Sequence, residues 1–274
     1  MDNMKQLTEI IKVKGKKERL ATDIVIRETN LLILLNSYKL VSLACLDDKL
    51  PELGLGYLFS EDIIDSTDKI IDFYLRPSPL RLIFQIDLSD KELEQYLSER
   101  TKITGCGGGF SRNMDTEIEA GNNTVKAALN ETNKTFHPFP FKPVIIPGLM
   151  KTFQNFSSLF KNTGGVHSAA LVDNQQGEII YYADDIGRHN AVDKVIGAGI
   201  INKKEFPQCS LITTGRVSYE IISKVATMNI PVLISRSAPT SKAISIAYKS
   251  KVYLIGFARN NRYNLYSGLN EGNK

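Results

Sequence analysis

The chain is predicted to be an α/β protein preceded by a smaller α+β region, and three observations carry that expectation. From Pro147 onward, short apolar runs rich in β-formers alternate with segments of helical spacing. That alternation implies a sheet that is at least partly parallel, with helices covering both faces. Before about residue 100 the apolar runs come in pairs joined by tight turns, as hairpins do. Between the two regions, residues 111–143 carry asparagine, threonine and charge with little periodicity, and His137-Pro138-Phe139-Pro140 cannot continue a helix. The expected layout is therefore an α+β region over 1–110, a long loop or linker over 111–143, and an α/β domain over 144–274. A chain of 274 residues with 42% hydrophobic side chains can bury a core of that size.

The elements follow in order. The basic run 12–19 reads as a solvated, mobile N-terminal arm. Strands are expected at 22–27, 31–35 and 38–45, with Asn36-Ser37 as a turn. A helix with proline in its first turn spans 51–61. A second β pair, 69–75 and 80–86, is broken at Pro77-Ser78-Pro79. Ser89 and Glu92 have the spacing of a capping box ahead of a short polar helix that ends near Arg100.

In the second region a helix is expected at 147–161, with Leu149, Phe153, Phe156 and Phe160 on one face and Gly164-Gly165 as its stop. Strands at 166–173 and 178–183 pair across Gln175-Gln176-Gly177. Helices at 188–198, 217–228 and 240–249 then alternate with strands at 209–213 and 231–235. Strands at 251–257 and 263–266 close the chain.

Composition excludes several classes of function. No apolar run reaches transmembrane length, and the N-terminus lacks the basic-then-apolar layout of a secretory signal. Three cysteines without paired spacing suit a reducing cytoplasm. A net charge of +4 is mild, and fits an anionic small molecule at least as well as nucleic acid. No dinucleotide fingerprint, phosphate-loop lysine motif or Cys-x-x-Cys zinc spacing is present.

Chemistry concentrates in a few places. Cys106 sits in Thr104-Gly105-Cys106-Gly107-Gly108-Gly109, where glycines give the loop freedom and leave the thiol poorly placed as core filler. Cys45 and Cys209 lie in apolar runs and read as inert packing. Thr213-Thr214-Gly215-Arg216-Val217-Ser218 and Ser235-Arg236-Ser237-Ala238-Pro239-Thr240-Ser241 each mark a strand-to-helix junction. Either is a plausible phosphate seat or ordinary capping. Asp184-Asp185-Ile186-Gly187-Arg188-His189-Asn190-Ala191-Val192-Asp193-Lys194 offers Asp185 as an N-cap and His189 with Asp193 on one helical face. His167 opens a strand beside Gly164-Gly165. Phe257-Ala258-Arg259-Asn260-Asn261-Arg262 suits an exposed hairpin turn. A Cys–His hydrolase joining Cys106 to His167 or His189 is a further possibility from residue types alone.

Together these motifs resemble the formate dehydrogenase accessory sulfurtransferase family, FdhD, over most of the chain. The resemblance rests on Leu55-Gly56-Tyr57-Leu58-Phe59-Ser60-Glu61, the Cys106 loop, Thr163-Gly164-Gly165-Val166-His167-Ser168-Ala169 and the clusters at 184–194, 213–218 and 235–240. It implies a cytidine-deaminase-like C-terminal domain with a mixed sheet and flanking helices, and a homodimer. It also implies that a cysteine desulfurase hands sulfur to Cys106 as a persulfide. The acceptor would be the molybdenum (or tungsten) bis(molybdopterin guanine dinucleotide) cofactor destined for formate dehydrogenase. In this picture Phe257, Ala258, Arg259, Asn260, Asn261 and Arg262 bind the cofactor, while His167, Arg188, His189, Arg216 and Arg236 either shape its pocket or hold the fold. One departure stands out: the family loop often reads Cys-Gly-x-Cys, and Gly109 occupies the second cysteine's place. That leaves a one-cysteine mechanism, or a chaperone that binds the cofactor without transferring sulfur.

Overall fold

The computed structural model describes residues 4–89, 91–94, 101–102, 110–111, 136 and 138–268. The chain opens on an antiparallel ribbon, β1 (Lys5–Lys14) and β2 (Lys17–Ile26). The expected mobile arm at 12–19 is thus the tip of this ribbon. Gly15, at φ 62°, takes the left-handed conformation the turn requires, and the flanking residues pair across the strands.

A four-stranded sheet follows in the order β4-β3-β6-β5. It comprises β3 (Thr29–Leu35), β4 (Tyr38–Cys45), β5 (Ile70–Pro77) and β6 (Leu80–Ile86). Leu31, Ile33 and Leu35 alternate inward along β3 and meet Leu82 and Phe84 of β6 in one apolar cluster. Helix α1 (Leu50–Ser60) covers this face, with proline in its first turn. The Ser89–Glu92 capping box forms: Ser89 N donates to Glu92 Oε2 at 2.8 Å and Glu92 N donates to Ser89 Oγ at 3.3 Å. Two short strands, β7 (Thr101–Lys102) and β8 (Phe110–Ser111), then pair antiparallel.

The larger layer is a six-stranded mixed sheet in the order β10-β9-β11-β12-β13-β14. Its strands are β9 (His167–Asp173), β10 (Glu178–Asp185), β11 (Cys209–Thr213), β12 (Val232–Ser235), β13 (Tyr253–Arg259) and β14 (Arg262–Leu265). β11, β12 and β13 are mutually parallel and the rest antiparallel. The parallel strands β11 and β12 are buried along their whole length, as strands covered on both faces must be. One face packs on α4 (Arg188–Ile201), α5 (Tyr219–Thr227) and α6 (Ser241–Lys249); the other packs on α2 (Ile146–Phe156).

The single helix expected at 147–161 is in fact two, α2 and α3 (Ser158–Thr163). Ser157 turns extended between them, accepts from Phe160 N at 2.8 Å as the new N-cap, and donates to buried Asp184 at 2.8 Å. A hydroxyl claimed by both a cap and a buried carboxylate has ended the helix.

The two sheets meet where α1 crosses α4. A Cβ on Gly56 would lie 1.7 Å from the Asp193 carbonyl oxygen, and one on Gly197 would lie 1.8 Å from that of Glu52. The helices approach that closely because neither position carries a side chain.

Candidate functional site at the edge of the six-stranded sheet

The topology gathers the polar motifs on one edge. β9 runs antiparallel to β11, so Ala169 pairs with Thr213, and His167 pairs with Asp185 at the end of β10. β12 lies parallel to β11, so Ser235 sits beside Thr213. β13 continues past the end of β12 and turns back at Asn260-Asn261. Ligands of such sheets gather at the carboxyl ends of the parallel strands, which is this edge. The loops clasp one another through their backbones. Thr214 N donates to Ser168 O at 3.0 Å, Arg236 N to Thr213 O at 3.0 Å, Val217 N to Ala238 O at 3.0 Å, and Phe257 N to Ser237 O at 3.0 Å.

Side chains follow from that frame. His167 Nδ1 lies 3.4 Å from Thr214 Oγ1, which accepts from Ser168 N at 2.9 Å. Arg188 lies across Gly215; a Cβ there would come within 2.8 Å of Arg188 Cβ and 3.0 Å of its Cδ. The glycine of Thr214-Gly215-Arg216 therefore makes room for a neighbouring arginine. His189 Nε2 stands 3.9 Å from Glu220 Oε2, outside hydrogen-bond reach, and neither it nor Arg188 Nε has a hydrogen-bond partner among the described residues. Burial, then Lys224 and Arg188, push His189 down to about 4. Burial, then Arg188 and Arg216, also lower His167. Both rings are thus neutral near pH 7, and the positive charge of the edge belongs to its arginines. Arg216, Arg236, Arg259 and Arg262 are exposed and form no ion pair among the described residues. Guanidinium forks in such a setting suit phosphate or carboxylate oxygens.

Acids in the 184–194 cluster do different work. Asp184 accepts from Ser157, Ser168 and Tyr182 hydroxyls at 2.8, 2.6 and 2.5 Å. Burial, then that bond to Asp184, raises the Tyr182 phenol, so its proton stays on the ring oxygen. Asp185 is not the N-cap; Gly187 holds that position. Instead Asp185 pairs with Lys194 at 2.7 Å and accepts from Leu46 N at 3.1 Å, Gly187 N at 2.9 Å and Asn190 Nδ2 at 2.9 Å. Nor does His189 pair with Asp193. Lys224 of α5 comes between, binding Asp193 at 2.8 and 3.0 Å, Glu61 at 2.7 Å and Ser60 at 2.8 Å. Burial pushes the Asp193 carboxyl up to about 6. Burial alone would lower Lys224, but Asp193 and Glu61 outweigh it and hold the ammonium above its ordinary value. Sequence reasoning missed Glu220 and Lys224. Their signal was two opposite charges four apart on an otherwise apolar helix.

The segment 257–262 is the end of β13 and its turn. Phe257 has φ 51° and Asn260 φ 55°, and the register shifts between Gly256 and Arg259. Ala258 is buried; Arg259, Asn260, Asn261 and Arg262 are exposed, with Arg259 and Arg262 paired across the turn. The Arg259 guanidinium lies 5.8 Å from the Phe257 ring centroid. Cys106 lies outside the described residues, in the interval bracketed by β7 and β8. Cys45 and Cys209 are buried, and burial pushes the Cys45 thiol up to about 12, so neither supplies a ready thiolate. No helix is long and apolar enough to cross a membrane, among the described residues.

Comparison with known proteins bears on this arrangement. Residues 26–271 match the model of the FdhD/NarQ family. The chain is 32% identical over 247 residues to the sulfur carrier protein FdhD of Bacillus subtilis, covering 89% of this chain and 88% of that one. It is 34% identical over 245 residues to its counterpart in Listeria innocua, covering 89% and 90%. With the protein of the same name in Sulfolobus acidocaldarius it shares 31% over 272 residues, covering 94% and 95%. Among solved structures, a protein assigned as a formate dehydrogenase accessory protein from Desulfotalea psychrophila superposes with a TM-score of 0.73 at 22% identity, covering 96% and 97%. That likeness speaks for the fold.

Proposed function

The chain belongs to the FdhD/NarQ family, and on that footing we propose that it is a sulfur carrier in the maturation of formate dehydrogenase. Cys106 takes sulfur from a cysteine desulfurase and passes it to a molybdenum bis(molybdopterin guanine dinucleotide) cofactor. In the loading step the Cys106 thiolate attacks the outer sulfur of the donor's persulfide. A new S–S bond forms at Cys106, the donor's S–S bond breaks, and the donor cysteine leaves as a thiolate, with no net oxidation. The cofactor is cargo here. Its phosphates call for guanidinium groups and open strand ends, which the edge at 167, 188–189, 213–218, 235–240 and 257–262 supplies in one place.

The observation that carries the cofactor half of this reading is the convergence of those motifs on one sheet edge, with four exposed arginines there in no ion pair among the described residues. Intact-mass measurement after incubation with a cysteine desulfurase and cysteine tests the sulfur half. Wild type gains one sulfur atom and Cys106→Ala does not; an adduct retained by the variant overturns it. A second reading, a cofactor chaperone without sulfur transfer, draws on Gly109 in the place of a second cysteine. An adduct-free wild type that still binds guanosine diphosphate would favour it.

A further inference from the structure

One charge at the sheet edge does not suit a phosphate. Across 163–168, 186–189, 213–220, 235–242 and 257–262 the sequence carries arginines, histidines, a lysine and hydroxyls, and one carboxylate, Glu220 in the first turn of α5. Burial alone would raise that carboxyl, but Ser218, its own backbone N–H, His189 and Arg188 outweigh burial and hold it below its ordinary value. It is therefore ionised near pH 7. Its side chain is 34% exposed, and the basic group within 4 Å of it among the described residues is His189, at 3.9 Å and neutral at that pH. A phosphate brought here meets a like charge.

Beside Glu220, at the start of α4, Arg188 Nε and His189 Nε2 are buried with no hydrogen-bond partner among the described residues. Gly215 leaves the room that Arg188 occupies, since a Cβ there would come within 2.8 Å of Arg188 Cβ. The first turns of α4 and α5 thus set a charged acceptor next to a fork of donors. A group that answers both must offer adjacent N–H donors to the carboxylate and a carbonyl to the guanidinium. Ribose and phosphate have no N–H. Adenine sets a ring acceptor beside its amine, and a carboxylate repels that. The 2-amino-4-oxopyrimidine ring presents the whole set: a ring N–H and an exocyclic amine side by side, then a carbonyl oxygen.

We propose that Glu220 accepts from the ring N–H and the amine of a 2-amino-4-oxopyrimidine, and that Arg188 donates to its carbonyl. This pair reads the ring, while the exposed arginines of the edge take phosphate. Guanine and pterin both carry the ring. The inference rests on the cofactor half of the proposed function, whose cargo holds the ring in both forms.

Titration calorimetry of the full chain tests it. Guanosine diphosphate is set against inosine diphosphate, which lacks the amine, and pterin against lumazine, which has oxygen in the amine's place. Pyrophosphate, with no ring, reports the phosphate part in each protein. Wild type prefers the amine-bearing member of at least one pair about tenfold or more, and the pair that shows it identifies guanine or pterin as the ring read. Glu220→Gln loses that preference, and its affinity for the preferred ligand falls relative to pyrophosphate. An acid that served only the α5 dipole would shift the melting temperature and leave the preference in place. A wild type without preference in either pair, or a Glu220→Gln protein that keeps it, overturns the inference and leaves the sulfur-carrier reading standing. A wild type that binds none of these ligands overturns the inference and the cofactor half of that reading together.

Discussion

Along the inner side of α4, Asp193 and Lys194 are fully buried and each meets an opposite charge, Lys224 and Asp185. At the outer start of the same helix, Arg188 and His189 keep ring and guanidinium nitrogens without a hydrogen-bond partner among the described residues, and Arg216 and Arg236 next to them form no ion pair there. The two regions lie within two turns of each other. Charge that closes on itself holds α1 and α4 together; charge left open faces the edge where the loops converge. A protein that needed only stability would have little reason to leave the buried Arg188 and His189 nitrogens open, since an unpaired buried polar group costs about 1–3 kcal/mol.

The contrast can be broken most forcefully from the buried side. Lys224→Met strands Asp193 and Glu61 without their cation and is expected to cost about 3–5 kcal/mol in chemical denaturation. The loss is smaller at pH 5 than at pH 8, because protonating Asp193, already pushed up to about 6, removes the stranded charge. A loss under about 1 kcal/mol would mean the pair is not what holds the seam. Next in size, Gly56→Ala drives a methyl into the Asp193 carbonyl and should cost about 3 kcal/mol as the helices separate. An unchanged melting temperature would show that the close approach is dispensable.

Histidine supplies a smaller effect. His189 falls from the ordinary 6.5 to about 4 in the folded state, so its contribution to stability is present above pH 6.5 and is lost as pH falls toward 4. Between pH 7 and pH 5 this amounts to about 2 kcal/mol, and His189→Gln should flatten that part of the stability profile. A profile identical to wild type would place the acid sensitivity elsewhere. Smallest in stability, and sharpest for the open side, is Arg216→Ala with Arg236→Ala. Unfolding should move by less than about 0.5 kcal/mol, while affinity for guanosine diphosphate drops about tenfold or more by titration calorimetry. Equal affinity would detach the open arginines from anion binding. The same titration on Arg259→Ala with Arg262→Ala asks whether the β13–β14 turn shares the load.

Much of the C-terminal fold was legible because its punctuation is local. Thr213-Thr214-Gly215, Ser235-Arg236-Ser237 and Asn260-Asn261 each end an apolar run with turn or cap residues, and β11, β12 and β13 stop within a residue or two of them. The buried pairs were not legible. Ser60 and Asp193 are 133 positions apart, and Asp193 and Lys224 are 31 apart, so spacing on α4 pointed to His189 instead. The basic run 12–19 reads as a loose arm because its charges mask the alternation of Leu7, Ile11 and Val13 against Leu20 and Ile24. The clue was Gly15 between two basic runs, a turn residue flanked by strand-forming side chains.

By itself the sequence determined the alternating α/β order, the junctions that carry the arginines and histidines, and the lone cysteine in glycines that motivated a sulfur carrier. Each is a matter of residue type over a few neighbouring positions, where backbone preference and side-chain chemistry act directly. Only the tertiary structure decided which of those charges are spent and which remain open. Asp185, Asp193 and Lys194 look as available in the sequence as Arg188 and His189. Burial against α1 and α5 pairs Asp185 with Lys194 and Asp193 with Lys224, because a buried charge must be paired. Arg188 and His189 are left with a guanidinium and a ring nitrogen that have no hydrogen-bond partner among the described residues.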